Sequence, residues 1–288
     1  MENLNYPLIY ALLYVVLAPI AGGLLAGVDR IITARMQSRV GPPVFQPFYD
    51  IFKLLKKENK EVNRFQAPLM GLHLIFMIFT GALFFFGADL LLVIFALTLA
   101  CMFLVLAANC SNSPFNFVGA ERELITIMTA EPMLILTLVG FYQVTKSFAP
   151  YEIMNSDKML IFWLPGVFLA LFHVLTIKFR KSPFDISYSH HGHQELVKGI
   201  TTDLSGRTMA MIEISHWYEN IFLLALVYMF FSFMPILGLF ITFFIYFLEL
   251  IIDNTNARAK WQLTFTSSWL VTLVLGCSNL VILYFVRS

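Results

Sequence analysis

Long runs of apolar residues, separated by shorter polar segments, make up most of the chain. A helix needs about 20 apolar residues to cross a hydrocarbon core about 30 Å thick, and it satisfies its own backbone hydrogen bonds in lipid. The runs that meet this requirement lie near residues 8–28, 67–87, 89–109, 124–144, 160–178, 208–232, 236–252 and 262–286. The pattern therefore predicts an all-α polytopic membrane protein with about eight transmembrane helices.

The polar segments between these runs are too short to form a soluble domain, so we expect a single transmembrane domain over residues 1–288. The first run is followed by Asp29 and Arg30 and not by a small-residue cleavage site, which favours a retained span over a signal peptide. The composition agrees, because 59% of the residues are hydrophobic and only 13% are charged.

The basic residues are unevenly distributed between the loops. Of the 19 lysines and arginines, all but Lys146, Lys158 and Arg287 lie in, or at the edge of, the first, third, fifth and seventh loops. Cytoplasmic loops carry the excess of positive charge in membrane proteins. We therefore expect both termini outside and the two large loops, approximately 29–66 and 179–207, in the cytoplasm.

The first large loop contains a second type of helix. Gly41, Pro42 and Pro43 stop any continuing helix. Apolar residues then recur at helical spacing, at Phe48, Ile51, Phe52 and Leu55. Lysines occupy the other side, so the pattern predicts a short amphipathic helix in the cytoplasmic interface. The simplest interpretation is an electrostatic anchor on anionic lipid.

Several ionisable residues fall inside the predicted spans, where an unpaired charge costs several kcal/mol. Glu131 precedes Pro132 in the fourth span, and the sixth span carries a series of three such residues within one arc. The candidates for a proton path are Glu131, Glu213, His216, Glu219 and Glu249. For His73 and His173 we favour the alternative of a structural hydrogen bond between helices.

Two further patterns argue against redox or metal chemistry in this chain. The three cysteines, Cys101, Cys110 and Cys277, form no CxxC and no metal-ligand spacing. The HHxH pattern of His190, His191 and His193 lacks the spacing of a helical zinc site, so a solvated docking surface is the preferred interpretation.

Three long segments resemble one family. ARMQSRVGPPVFQPFYDIFKLLKKE in the first loop, GAERELITIMTAEP in the fourth span, and SPFD followed by ELVKG in the fifth loop are similar to NADH dehydrogenase subunit 1, a membrane component of respiratory NADH:quinone oxidoreductase. The resemblance covers nearly the whole chain. Glu131 matches the buried glutamate of the family's fourth span.

The chain departs from the quinone-reducing branch of this family. Lys178 stands where that branch carries a glutamate, and Tyr188, Ser189 and His190 stand where acids are expected. The segments SHHGHQE and DNTNAR resemble the branch that serves nickel–iron hydrogenases, of the energy-converting Ech type or formate hydrogenlyase.

The resemblance implies a membrane subunit that performs no redox chemistry itself and couples electron transfer to ion movement in a prokaryotic cytoplasmic membrane. It implies as partners the hydrogenase large and small subunits, a ferredoxin-like iron–sulfur subunit and an antiporter-like membrane subunit, and no nucleic acid. Iron–sulfur clusters and a nickel–iron site are expected in those partners, with no cofactor in this chain. The residues expected to contact the hydrophilic arm are Arg35, Arg39, Asp185, His190, His191, His193, Glu195 and Arg258.

Two alternatives remain open. A quinone-binding component of a respiratory dehydrogenase would use the same fold. A secondary transporter is disfavoured because the sequence has no visible inverted repeat and no paired broken helices.

Overall fold

The computed structural model describes residues 5–59, 63–111, 113–156, 158–184 and 199–287, and this part of the chain is helical without strands. The helices are α1 Asn5–Met36, α2 Gln46–Lys56, α3 Gln66–Phe86, α4 Leu90–Asn109, α5 Pro114–Thr145, α6 Pro150–Met154, α7 Leu160–Trp163, α8 Pro165–Lys178, α9 Arg207–Tyr228, α10 Pro235–Thr255, α11 Trp261–Val271 and α12 Ser278–Arg287. A π-helical turn, Thr272–Cys277, joins α11 to α12. The all-α prediction is confirmed.

Seven helical stretches are long and apolar enough to cross a membrane, counted over the described residues, whereas the sequence predicts about eight. The difference lies in the fifth span, which is divided into α7 and α8 at Leu164 because Pro165 has no N–H to continue the helix. Asn279 of α12 compensates, since its side chain accepts from Val167 N at 3.2 Å. The fifth span is therefore an interrupted helix supported by the last one.

Helix α5 is much longer than the predicted span 124–144, because it begins at Pro114. Proline is favoured in the first turn of a helix. The residues that follow are polar, so a hydropathy count does not detect this part of the helix. The extension brings Glu123 into the helix and buries it. A residue that the sequence assigns to a loop is thus part of the buried interior.

The predicted interfacial helix is present as α2, but its apolar residues divide between two environments. Ile51 is buried, and the ring of Phe48 lies 5.1 Å from that of Trp217 on α9. Phe52 and Leu55 are exposed. Half of the apolar stripe therefore packs on protein, so lipid anchoring alone does not explain it.

The odd-numbered loops meet at one end of the molecule, called here the polar end. Hydrogen bonds that join them run from Asn63 to the carbonyl of Cys110, from Asn116 to Asp203, from Ala259 to the carbonyl of Pro183, and from Gln37 to Asn254. At the other end, Leu90 N donates to the carbonyl of Phe148 and so joins the second and fourth loops. This two-ended arrangement agrees with the alternation of charge in the sequence.

The first loop is held tightly against α1. A Cβ at Gly27 would collide with the carbonyl oxygen of Val44, so only glycine permits this close approach of the two backbones. Further along, Arg30 Nη1 lies 2.7 Å from Asp50 Oδ2, which ties α2 to the end of α1. These contacts position the arginines of the first loop at the polar end.

Candidate functional site

Three basic residues lie within four positions at the end of α8, and each contacts a carboxylate from a different part of the chain. They are Lys178, Arg180 and Lys181, called here the basic segment. Their acidic partners belong to α9, α5, α1 and α10. The basic segment therefore links four long helices just beneath the polar end.

Lys178 is the most deeply placed member. Its Nζ lies 3.8 Å from Glu219 Oε1 and 3.9 Å from Cys101 Sγ, and the side chains of Lys178 and Glu219 are only 5% and 4% exposed. Glu123 and Glu131 of α5 lie close enough to act on its charge. The ammonium thus contacts groups on α4 and α9 and lies within electrostatic range of two acids on α5.

Arg180 binds Glu123 through two hydrogen bonds, of 2.9 and 3.0 Å, in the fork geometry that guanidinium and carboxylate favour. The backbone of Arg180 is left-handed, with φ of 55°. The N–H groups of Arg180 and Lys181 donate to the carbonyls of Ile177 and Thr176, as in a Schellman motif. Glycine usually occupies this position, so the ion pair helps to hold a conformation that an arginine adopts at a cost.

Lys181 lies between two aspartates. Its Nζ is within hydrogen-bonding distance of Asp29 Oδ2 and 3.4 Å from Asp253 Oδ2, and Tyr246 Oη donates to the same oxygen of Asp29 at 3.1 Å. Burial alone would lower the pKa of Lys181, but the carboxylates of Asp29 and Asp253 outweigh it and raise the pKa above its usual value. Lys181 is therefore a permanent cation that joins α1 to α10.

Glu249 lies one turn below Asp253 on α10 and is completely buried. Neither of its carboxylate oxygens has a hydrogen-bond partner within the described part of the chain. Thr176 and Lys181 lie near enough to influence its charge. Unlike Glu123, Glu249 is therefore not held by a short ion pair or hydrogen bond in the described structure, which leaves it a candidate for the proton path.

The series Glu213, His216 and Glu219 lies on one helix, α9, as the spacing predicts. Glu219 is buried, whereas Glu213 and His216 are half-buried. Arg30 and Arg180 both lie within electrostatic range of Glu213. Glu213 is therefore within electrostatic range of both the surface pair of the first loop and the basic segment, and Glu219, further along α9, is the more deeply buried acid.

Glu131 is half-buried on α5, immediately before Pro132. This part of α5 packs against α11, because Ser268 Oγ donates to the carbonyl of Thr129 at 2.7 Å. Glu131 and Glu219 both act on Lys178. Of these two predicted acids, Glu219 pairs with Lys178, and Glu131, on a different helix, lies within electrostatic range of it.

His73 is buried on α3, and its Nδ1 lies 2.8 Å from the carbonyl oxygen of Ala100. Because a carbonyl only accepts, Nδ1 must be the donor in this hydrogen bond. Nε2 is buried and has no partner in the described structure. The predicted structural hydrogen bond between helices is confirmed for His73, whereas the described structure shows none for His173, whose Nε2 is buried without a partner and whose ring packs edge-on against Phe184 at 5.1 Å.

The candidates for arm contact are only partly described. Arg35 and Arg39 are exposed at the polar end, and Arg258 is half-buried between α10 and α11. Asp185, His190, His191, His193 and Glu195 lie outside the described residues. In the part of the chain that is described, no group of three or more His, Cys, Asp or Glu side chains is placed to hold a metal ion.

Sequence reasoning missed several residues of this site. They are Asp29, Glu123, Arg180, Lys181 and Asp253. One signal was present, since KFRK directly follows an apolar run and so must place several charges at a membrane edge. This segment does not reveal which carboxylates pair with its basic residues, because each carboxylate lies on another helix.

Comparison with known proteins decides the family. The profile of NADH dehydrogenase matches residues 8–284. The chain belongs to the NADH dehydrogenase subunit 1 family. Hydrogenase-4 component C of Escherichia coli K12 is 31% identical over 72% of this chain and 70% of its own length, and formate hydrogenlyase subunit 4 of the same organism is 30% identical over 70% and 68%.

Relatives in the respiratory branch are more distant. The corresponding component of NADH-quinone oxidoreductase from a Geobacillus species is 28% identical over 72% of this chain and 67% of its own length. A chain in the structure of a membrane-bound sulfane sulfur reductase, an archaeal respiratory membrane complex, shares the fold, with a TM-score of 0.83, 22% identity, and coverage of 96% of this chain and 99% of that one. The family member described here is a multi-pass membrane subunit of a hydrogenase or complex I-like assembly, and its relatives fit the hydrogenase branch.

Proposed function

We propose that this chain is the membrane subunit of a multisubunit nickel–iron hydrogenase that anchors the hydrophilic arm and carries protons between the base of the arm and a neighbouring membrane subunit. The observation that carries the proposal is the convergence of buried acids on the basic segment. Glu123 of α5 and Glu219 of α9 are buried and pair with Arg180 and Lys178, and the half-buried Glu131 of α5 also acts on the charge of Lys178. Charges cluster inside a membrane protein mainly where ions or protons move.

The charged groups of this proposed path form a series that becomes less exposed from the polar end inward. Asp50 and Arg30 form an exposed pair at the polar end, with 37% and 45% of their side chains accessible. Glu213 follows, within range of Arg30, and Glu219 lies two turns further along α9. Carboxyl groups and imidazoles pass protons through bridging water, which makes this series a candidate path from the polar end toward the membrane interior.

The orientation in the cell follows from the loop charges. The polar end, which gathers the first, third, fifth and seventh loops, is proposed to face the cytoplasm of a prokaryote, with both termini outside. The arm would then dock on Arg35 and Arg39 and on the histidines 190, 191 and 193. The named relatives are parts of hydrogenase-4 and formate hydrogenlyase, which supports hydrogenase large and small subunits and a ferredoxin-like subunit as partners.

The redox cofactors belong to those partners in this proposal. Iron–sulfur clusters and a nickel–iron site would lie in the arm, and an antiporter-like subunit would receive the proton path within the membrane. The chain described here supplies anchoring and proton transfer. It is therefore a subunit without redox chemistry of its own in an oxidoreductase complex.

A second candidate is a quinone-binding subunit, favoured by the similarity to the NADH-quinone oxidoreductase component. Lys178 argues against it. This residue stands where the quinone-reducing branch carries a glutamate, and its side chain is buried and paired with Glu219. A secondary transporter is the third and weakest candidate, because relatives with 30% and 31% identity are components of complexes.

Purification in mild detergent separates the three candidates. An affinity tag on this chain should retain partner subunits that contain nickel and iron if the first proposal is correct. Bound flavin and quinone would instead support the second candidate, and a single chain free of metal would support the third. Hydrogen oxidation by the purified complex with an artificial dye provides the accompanying activity measurement.

A further inference from the structure

The ion pair between Lys178 and Glu219 differs in geometry from the other buried pair of the basic segment. Arg180 and Glu123 are joined by two hydrogen bonds of 2.9 and 3.0 Å. Lys178 and Glu219 lie 3.8 Å apart at their nearest atoms, beyond the 2.7–2.9 Å typical of a charge-assisted hydrogen bond. The Arg180–Glu123 pair is held by two short hydrogen bonds, whereas the Lys178–Glu219 pair can separate without breaking one.

The charges around Lys178 do not balance when every group is ionised. Lys178 and Arg180 supply two positive charges, and Glu123, Glu131 and Glu219 supply three negative ones. One bound proton therefore makes the group neutral. Glu123 is held by the arginine fork, so Glu131 and Glu219 are the acids that compete for this proton.

Lys178 pairs with Glu219 and is also the cation whose charge Glu131 influences. A single proton can reside on Glu131 while Lys178 pairs with Glu219, or on Glu219 while the ammonium turns toward the carboxylate of Glu131. Either state keeps the buried charge at zero, which is the condition for moving a proton through a region of low dielectric constant. Without the lysine, Arg180 would balance only Glu123, so the group would be neutral only with a proton on each of the other two acids, and neither could then accept another.

We propose that Lys178 is a positioning residue of the proton path, whose separable ion pair with Glu219 keeps one of the two acids, Glu131 or Glu219, ready to accept a proton. This inference rests on the proposed function. It goes beyond that function because it assigns a role to Lys178, which the family resemblance identifies only as a difference from the quinone-reducing branch.

If the Lys178–Glu219 ion pair had only a structural role, a different result would be expected. A buried ion pair can often be replaced by apolar residues of similar volume without loss of stability. The double variant Lys178→Met/Glu219→Gln should therefore assemble normally if the pair were only structural, and it should also couple normally. In our proposal it assembles but does not couple, because the acceptor is gone.

The experiment uses the whole complex, in membranes and in sealed vesicles. In Lys178→Met we expect normal subunit content and normal dye-linked hydrogen oxidation. Ion translocation in vesicles should fall by about tenfold, the change that about 1.4 kcal/mol of lost pairing energy produces. Lys178→Arg keeps the charge and should recover most of the translocation. Lys158→Met is the matched control, because Lys158 bonds the carbonyl of Val144 outside this site.

Infrared spectroscopy of the purified complex provides a readout that a structural role would not change. Lys178→Met should gain the absorption of a protonated carboxyl relative to the wild type, and Lys178→Met/Glu219→Gln should lack that gain. Wild-type translocation in Lys178→Met, or no added carboxyl absorption, would overturn the inference. If Lys178→Met does not assemble, Lys178→Arg decides: retained translocation supports the inference, and an assembled but uncoupled Lys178→Arg overturns it.

Failure of this inference can be told apart from failure of the proposed function. If Glu131→Gln and Glu219→Gln both leave translocation at the wild-type level, the proton path itself is wrong. If those variants lose translocation while Lys178→Met keeps it, the path stands and the role of Lys178 is wrong. Nickel content of the tagged complex tests the assembly independently of both.

Discussion

The guanidinium of Arg180 closes a fork on the carboxylate of Glu123, with two hydrogen bonds of 2.9 and 3.0 Å, and Glu123 is almost completely buried. The two residues are 57 positions apart in the chain. The pair fixes the turn after α8 against α5, and with it the positions of Lys178 and Lys181.

Breaking this pair should destabilise the protein strongly. Arg180→Ala leaves an uncompensated buried carboxylate, which costs about 3–5 kcal/mol. Arg180→Lys keeps the charge but loses the fork, so an intermediate loss is expected. Thermal unfolding in detergent measures both. The control is Arg30→Ala, which breaks the exposed pair with Asp50 and should cost no more than about 1 kcal/mol; equal losses for the two alanine variants would contradict the prediction.

Glu131→Gln should separate assembly from coupling. The amide keeps the shape of the side chain but cannot transfer a proton. We expect normal membrane assembly and dye-linked hydrogen oxidation, since these depend on other subunits, and reduced turnover with ferredoxin or formate, together with reduced translocation in sealed vesicles. Glu213→Gln should behave in the same way, with Glu219 as the alternative carrier nearer the interior. An equal loss in the dye assay would indicate misassembly, and unchanged translocation would show that Glu131 is structural.

Replacing His190, His191 and His193 together with alanine should release soluble hydrogenase subunits from the membrane, because these residues are proposed to contact the arm. The fraction of hydrogenase activity in the supernatant after membrane sedimentation measures the release. Arg35→Ala/Arg39→Ala tests the exposed arginines at the polar end in the same assay. Full retention with normal coupled activity in the triple variant would rule out this docking surface.

Glu249→Gln should preserve the stability of the protein. Its carboxyl oxygens are buried without hydrogen-bond partners in the described structure, so an amide of the same shape breaks no hydrogen bond. If Glu249 also carries protons, ion translocation by Glu249→Gln should fall while its unfolding temperature stays unchanged. The control is Glu152→Gln on α6, where the side chain is exposed and outside the site. A lower unfolding temperature with intact translocation would identify Glu249 as a structural residue.

Gly27→Ala should displace the first loop, since the new methyl group would collide with the carbonyl of Val44. We expect a lower unfolding temperature and weaker retention of partner subunits on the membrane. Gly71→Ala is the matched control, because a Cβ at that helical position meets nothing within 4 Å. Alanine is favoured over glycine in a helix by about 1 kcal/mol, so the control should be neutral or stabilising. Similar behaviour of the two variants would show that the close contact at Gly27 is unimportant.

Much of the fold follows from local features of the sequence. Hydropathy over about 20 residues located the spans, and the 3.6-residue period located α2, because both signals arise within one element. The series Glu213, His216 and Glu219 was placed on one helix face for the same reason. The interruption at Leu164 was overlooked because a proline near the start of a short apolar segment leaves the hydropathy unchanged.

The sequence by itself determined that this chain crosses a membrane several times, that its charges are concentrated in alternate loops, and that acids lie within its spans. Only the tertiary structure decided which acid each base would face. Lys181 pairs with Asp29 across 152 residues, and Arg180 with Glu123 across 57. The physical reason is that the energy of a charge depends on the distance and burial of its partner, and both are set by how the helices pack against one another.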